Sequence, residues 1–143
     1  RGEKIRIALT LTPSHTGVVE SGNVVAEIPG TDLADEIVVI GGHLDSWDLG
    51  TGAVDDGAGV AITMEVLRRI RDSGLKPRRT IRLVLWGAEE VGLLGGYAYL
   101  DKHQAALRKH VIGTESDFGA GKIWKITRSI NKAAEILSKD PSF

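Results

Sequence analysis

Groups that can bind metal ions or move protons are gathered in four short segments of this sequence. The four segments are His43 with Asp45, the pair Asp55-Asp56, the pair Glu89-Glu90, and Glu115-Ser116-Asp117. A histidine combined with several carboxylates is a suitable ligand set for zinc, and carboxylates serve paired ions in many hydrolases. The sequence contains no cysteine, so any zinc would be held by histidine and carboxylate groups alone.

The hydrophobic pattern predicts the elements that position these segments. Alternating or β-branched apolar runs predict strands, and apolar residues at helical spacing predict helices. We expect strands over 5–11, 23–28, 37–40, 80–86 and 111–114, and helices over 57–73, 91–103 and 129–139. Gly74 is a typical stop signal for the helix over 57–73.

Strands that alternate with helices are typical of an α/β fold with a mostly parallel sheet covered on both faces. We therefore predict a three-layer sandwich, with helices on both faces of a mostly parallel sheet. Three of the reactive segments directly follow a predicted strand, and the fourth, Asp55-Asp56, opens the first helix. Because ligands of such sheets bind beyond the carboxyl ends of the strands, all four segments should meet at one edge.

Each segment taken alone also has a purely structural interpretation. A lone histidine after a strand is more often structural than a ligand. Asp55 or Asp56 could cap the following helix, and Glu89-Glu90 could interact with a helix dipole. Convergence favours the metal site, because several carboxylates packed together repel one another strongly without a cation. Glu89 then fits a general base beside a ligand, Glu90, and Asp45 fits the acceptor that orients the His43 imidazole.

Length and charge limit the classes of function. The 143 residues correspond to one domain, predicted to span 1–143, and the formal net charge of −1 gives no indication of nucleic-acid binding. The longest apolar runs are too short to cross a bilayer, which argues against a membrane partner. The chain begins at Arg1 rather than Met, so we expect an upstream segment, and secretion or a periplasmic location stays open.

Four separated blocks of the sequence closely resemble the co-catalytic zinc aminopeptidase family, in its plasma glutamate carboxypeptidase-like branch. The blocks are GGHLDSWD at 41–48, GAVDDGAG at 52–59, LWGAEE at 85–90 and ESD at 115–117. The resemblance implies an α/β sandwich with a mixed sheet. It also implies a zinc-dependent exopeptidase of aminopeptidase, dipeptidase or carboxypeptidase type. Its substrate would be a peptide or dipeptide, and the complete enzyme would hold two zinc ions.

The resemblance also implies a role for each residue of the site. His43 and Asp117 would bind one zinc, Glu90 the other, and Asp55 would bridge both. Glu89 would be the general base and Asp45 would orient His43. A cis peptide bond is implied between Asp55 and Asp56.

One expected ligand of the family has no counterpart in this sequence. Family members supply a further histidine to the Glu90 zinc from a loop well beyond the position of Asp117. His15, His103 and His110 are poor substitutes by their positions, so we expect a C-terminally truncated catalytic domain with an incomplete second zinc site.

Two rival hypotheses remain at this point. A dinucleotide-binding domain would need a third glycine where Asp55 stands in the run 50–55, and an acidic site repels pyrophosphate. A catalytically inert fragment or a binding module on the same scaffold is the more serious alternative, since a scaffold can persist after activity is lost.

Overall fold

Four strands form one mixed sheet in the computed structural model, which describes residue 2 and residues 4–117 and 119–123. The strands are β1 (Val24–Ile28), β2 (Leu33–His43), β3 (Arg79–Trp86) and β4 (His110–Glu115). Their order in the sheet is β1-β3-β2-β4. The central strand β2 is parallel to both β3 and β4, whereas β1 runs antiparallel to β3. The predicted mostly parallel mixed sheet is therefore confirmed.

The register of the parallel strands brings their carboxyl ends to one edge. His43 at the end of β2 pairs with Trp86 at the end of β3, and Gly41 pairs with Glu115 at the end of β4. The segments that follow β2, β3 and β4 consequently leave the sheet side by side. The predicted strand over 37–40 is longer at both ends than its β-branched run indicated.

The two faces of the sheet are covered by different helices, α1 (Gly57–Asp72) and α2 (Leu94–His103). Gly42 lies directly under α1, because a Cβ atom there would come within 2.9 Å of the Val60 nitrogen. On the opposite face, Tyr99 of α2 packs edge-on against Trp86, with the ring centroids 5.4 Å apart. Helix, sheet and helix give the three layers that the alternating elements predicted.

The helix bounds differ slightly from the prediction. Helix α1 ends at Asp72, and Ser73 and the left-handed Gly74 follow it, as the stop signal indicated. Helix α2 begins three residues later than expected, because Leu93 adopts a left-handed conformation. Among the described residues, no helix is both long and apolar enough to cross a membrane.

The predicted strand over 5–11 is not formed. Its four apolar side chains, Ile5, Ile7, Leu9 and Leu11, are 72–86% exposed. Alternation stabilises a strand only when a neighbouring strand accepts its hydrogen bonds and buries one face. No strand in the described part of the chain pairs with this segment. The predicted helix over 129–139 lies outside the described residues.

A network of hydrogen bonds under α2 accounts for two of the histidines. The Tyr99 hydroxyl group donates to His110 Nε2 at 2.8 Å, while His110 Nδ1 donates to the Ala106 carbonyl at 2.9 Å. The ring of His103 packs against Tyr99 at 4.2 Å. The side chains of His103, in α2, and of His110, the first residue of β4, therefore both pack around Tyr99. An apolar cavity of about 480 Å³ adjoins these side chains between α2 and β4, with Glu89 and Glu115 among its lining residues.

The stability of the core should be most sensitive to substitution at Val84, whose side chain is fully buried in β3. Val84→Ala removes two methyl groups and leaves a cavity, so we expect the free energy of unfolding to fall by about 2–3 kcal/mol. Val25→Ala is the matched control, because Val25 pairs with Val84 but is 48% exposed. Urea denaturation should show a loss below about 1 kcal/mol for the control. Equal losses in the two variants would place the core elsewhere.

Candidate metal centre

His43 is held in one orientation at the carboxyl end of β2. Its side chain is 1% exposed, and Nδ1 lies 2.8 Å from the main-chain carbonyl oxygen of Asp45. A carbonyl oxygen only accepts hydrogen bonds, so Nδ1 carries the proton and donates it. In the neutral ring, Nε2 is then the nitrogen with a free lone pair, which is the arrangement that metal-binding histidines adopt.

Two carboxylate oxygens approach this nitrogen from different loops. His43 Nε2 lies 3.1 Å from Asp55 Oδ1, which precedes α1, and 3.1 Å from Asp117 Oδ1, which follows β4. Ligand atoms about 2.0 Å from a tetrahedral zinc ion are separated from one another by about 3.3 Å. Each of these two oxygens therefore lies from Nε2 at the separation expected for two ligand atoms of one zinc ion.

The negative surroundings control the protonation of His43. Burial alone lowers the pKa of the imidazole, but the Asp45 carbonyl and the Asp117 carboxylate outweigh this effect and raise the pKa to about 9. In the metal-free protein the ring is therefore an imidazolium at neutral pH, and Nε2–H donates to the two carboxylates. A zinc ion would have to displace this proton.

Asp56 is buried and binds the main chain. Its side chain accepts a hydrogen bond from the His43 N–H at 2.9 Å and another from the Gly59 N–H at 3.1 Å. It is thus the N-cap of α1 and also ties this helix to the end of β2. Gly59 permits the contact, because a Cβ atom there would lie 2.2 Å from Asp56 Oδ1. Desolvation raises the pKa of Asp56.

The neighbouring Asp55 has a different environment. Its side chain is 61% exposed at the mouth of the site, and the peptide bond between Asp55 and Asp56 is cis, as expected. One of the two adjacent carboxylates is therefore directed into the fold and the other into the site. The sequence analysis assigned a capping function to either residue, and the structure assigns it to Asp56.

Asp45 contacts the His43 imidazole through its main chain rather than through its carboxylate. Asp45 orients the imidazole through its main-chain carbonyl, whereas its Oδ1 atom lies 3.9 Å from Nδ1. The carboxylate instead accepts hydrogen bonds from the N–H groups of Glu89 at 2.8 Å and Glu90 at 3.0 Å. The sequence predicted that Asp45 accepts the N–H of the imidazole, but a residue type cannot reveal which of its oxygens does so.

Glu89 and Glu90 lie on a tight loop between β3 and α2. Ala88 and Leu93 both adopt left-handed conformations in it, with φ values of 54° and 59°. Such conformations cost on the order of 1–3 kcal/mol each for non-glycine residues and persist where the surroundings determine them. Glu90 Oε1 is buried and has no hydrogen-bond partner among the described residues. A buried carboxylate oxygen without a donor is suited to a cation.

The carboxyl groups that surround the site hold protons more tightly than usual. Desolvation, followed by repulsion from Asp117, raises the pKa of Glu89. Desolvation and the charges of Asp117 and Glu89 raise the pKa of Glu115 to about 7. The carboxyl edge of the sheet therefore carries an excess of negative charge, which protons offset in part.

Two groups of potential metal ligands result from this geometry. His43, Asp55 and Glu90 offer ligand atoms within 4.8 Å of one another, and so do His43, Asp56 and Asp117. All four predicted ligand residues, His43, Asp55, Glu90 and Asp117, thus belong to one group or the other. Asp56 has no ligand role in the set that the family resemblance implied. Its two main-chain hydrogen bonds leave it less available to an ion than Asp55 or Asp117.

Comparison with known proteins adds sequence evidence to this geometry. The sequence profile of Peptidase family M28 matches residues 23–136. Carboxypeptidase Q of Rattus norvegicus is 46% identical over 119 residues, which cover 83% of this chain and 25% of that protein. The human Carboxypeptidase Q is 45% identical over 118 residues. The chain thus spans about a quarter of the length of these relatives.

Solved structures show the same relationship. A peptidase M28 precursor from Shewanella amazonensis is 62% identical and superposes with a TM-score of 0.69, covering 71% of this chain and 23% of that one. A zinc aminopeptidase from Bacillus subtilis is 28% identical with a TM-score of 0.62, covering 67% and 24% of the two chains. Both the sheet and the helices described above therefore occur in zinc peptidases.

The convergence on His43 Nε2 predicts zinc binding that depends on this ring. His43→Ala removes the one nitrogen that both Asp55 and Asp117 approach, so calorimetry should show at least about a tenfold loss of zinc affinity. His15→Ala is the matched control, because His15 is an exposed histidine outside the site. Equal zinc affinity for the two variants would remove His43 from the ligand set.

The raised pKa of His43 predicts a pH dependence of zinc binding. Its pKa of about 9 means that the ring is protonated at lower pH and must lose one proton when zinc binds. The apparent zinc affinity should therefore rise about tenfold per pH unit between about pH 6 and 8. Titration calorimetry in buffers with different ionisation enthalpies measures the released proton directly. Binding that is independent of pH would contradict this account.

Proposed function

This chain belongs to Peptidase family M28, and from that membership we propose that it forms part of the catalytic domain of a zinc-dependent exopeptidase. The substrate is a peptide or dipeptide, cleaved near one of its termini. The relatives named Carboxypeptidase Q and the Bacillus subtilis zinc aminopeptidase support this assignment. Because the chain matches about a quarter of their length, the activity is proposed for the full-length protein.

One observation carries the proposal. His43 Nε2 lies 3.1 Å from carboxylate oxygens of both Asp55 and Asp117, and its other nitrogen is fixed by a main-chain carbonyl. A histidine that served only the fold would not need two carboxylates at its free nitrogen. We assign His43 and Asp117 to one zinc ion, Glu90 to a second, and Asp55 to both.

The buried Oε1 atom of Glu90 supports the second ion position. Asp55 and Glu90 supply two protein ligands there, whereas a catalytic zinc ion normally has three. His103 and His110 are engaged with Tyr99 under α2. The remaining ligand would therefore come from outside the described residues.

The chain contributes a proton acceptor and its support. Zinc bound at this site would supply a Lewis acid that polarises the scissile carbonyl and lowers the pKa of water. Glu89 accepts the proton of the attacking water and delivers it to the leaving amine nitrogen when the C–N bond breaks. Burial raises the pKa of Glu89 towards neutrality, which suits a group that must both accept and return a proton. Asp45 holds this residue through its main-chain N–H.

The roles of the two adjacent glutamates can be separated by matched substitutions in the full-length protein. Glu89→Gln removes a proton acceptor but no ligand, so kcat should fall about 10²–10⁴-fold with unchanged zinc content. Glu90→Gln should lower the zinc content as well, because an amide binds a cation more weakly than a carboxylate does. Hydrolysis of a dipeptide panel and elemental analysis provide the two measurements.

The outcomes distinguish the exopeptidase from the alternative of an inert protein or binding module. A wild-type protein that binds zinc but hydrolyses no member of the panel would favour the binding module. A Glu89→Gln variant that keeps more than about a tenth of the wild-type kcat would exclude Glu89 as the base.

A further inference from the structure

Asn23, the residue that precedes β1, makes two hydrogen bonds with the main chain at the ends of the loop that carries Glu89 and Glu90. We propose that Asn23 is a positioning residue for this loop, an inference that rests on the proposed function. No role was predicted for it from the sequence. It contacts neither glutamate side chain in any hydrogen bond of the described residues, so any effect on the chemistry passes through the backbone.

The side-chain amide of Asn23 spans both ends of the loop. Its Oδ1 atom accepts a hydrogen bond from the Gly87 N–H at 3.0 Å, and its Nδ2 atom donates to the Gly95 carbonyl at 2.8 Å. The reverse orientation of the amide would place donor against donor and acceptor against acceptor. The side-chain amide supplies the acceptor and the donor on two separate atoms, one for each of these main-chain groups.

The two loop ends that Asn23 joins are also bound to each other. The Gly95 N–H donates to the Gly87 carbonyl at 2.9 Å, and the Leu94 N–H donates to the Ala88 carbonyl at 3.0 Å. Close approach is possible because residue 95 lacks a side chain. A Cβ atom on Gly95 would lie 2.2 Å from Asn23 Oδ1 and 2.4 Å from the Gly87 carbonyl oxygen.

The loop needs support of this kind. Ala88 and Leu93, one near each end, are held in left-handed conformations that non-glycine residues seldom adopt. Asp45 binds the middle of the loop through the N–H groups of Glu89 and Glu90. Asn23 binds the two ends of the loop, so the loop is fixed both at its ends and at its middle.

This arrangement connects a residue at the start of β1 with the position of the proposed base. If the two ends of the loop are released, Glu89 loses the fixed distance to the site that proton transfer requires. A displacement of about 1 Å can cost about 10²-fold in rate. Substrate binding depends less on this loop, so we expect kcat to decrease while KM changes little.

Two variants of Asn23 and one matched control test the inference in the full-length protein. Asn23→Ala removes both hydrogen bonds, whereas Asn23→Asp keeps an acceptor for Gly87 but has no donor for Gly95. The control is Thr80→Val. Thr80 Oγ1 also bridges two main-chain groups, accepting from the Gly30 N–H and donating to the Ala34 carbonyl, but it lies near the opposite end of β3.

The first measurement does not depend on activity. Hydrogen exchange followed by mass spectrometry should show about tenfold faster exchange of loop amides 88–95 in Asn23→Ala, with an intermediate effect in Asn23→Asp. Thr80→Val should leave this segment unchanged. Wild-type protection of the loop in both Asn23 variants would overturn the proposal. If Asn23→Ala does not fold, the comparison of Asn23→Asp with Thr80→Val decides the matter.

The second measurement is the division between kcat and KM for a dipeptide substrate. In Asn23→Ala, kcat should fall at least about tenfold with KM changed less than about twofold, while Thr80→Val keeps both values. An equal loss in Asn23→Ala and Thr80→Val would show only a general effect on stability and overturn the positioning role. An inactive wild-type protein would refute the proposed function, and the exchange measurement would still test the loop.

Discussion

Negative charge concentrated at the carboxyl edge of the sheet is the constraint to which the rest of the site responds. Carboxylates after β2, β3 and β4 and before α1 lie around one buried imidazole. Two like charges about 4 Å apart repel by about 1–4 kcal/mol at the effective dielectric constants near a protein surface. The metal-free protein offsets this repulsion with protons, since the pKa of His43 is raised to about 9 and that of Glu115 to about 7. Protons and a metal ion therefore compete for the same histidine and carboxylate groups.

The carboxylates divide into two groups by the partners of their oxygens. Asp45 and Asp56 each accept two hydrogen bonds from main-chain N–H groups, and these bonds join β2 to the loop after β3 and to the start of α1. Asp55 and Asp117 instead direct an oxygen at His43 Nε2. The first group determines where the backbone lies, and the second leaves ligand atoms available for a cation. Adjacent residues such as Asp55 and Asp56 can thus have opposite functions.

The sequence predicted the sheet edge better than the contacts at that edge. Apolar patterns located β3 and α1 to within a residue or two, because burial against neighbouring layers is what such patterns record. The same reasoning failed at residues 5–11, where the apolar residues alternate but no strand in the described part of the chain pairs with the segment. It placed His43 at the end of a strand and Asp45 as the acceptor for its ring, but it did not specify which oxygen of Asp45 accepts. Hydrogen bonds made by main-chain atoms leave no trace in residue type, so those details required coordinates.

Asn23 is a second example of a contact that the sequence does not reveal. In the sequence, Asn23 is only the first residue of a predicted strand, and Gly95 lies inside a predicted helix, where glycine is unfavourable. In the structure the absence of a side chain at Gly95 lets the Asn23 amide and the Gly87 carbonyl reach the helix start. Glycine at position 95 lowers the helix propensity, but it also allows these close contacts. The contacts hold the loop that carries Glu89 and Glu90. Main-chain contacts already fix the loop, so little further ordering is needed when a cation binds. Less of the binding free energy is therefore lost to ordering the loop.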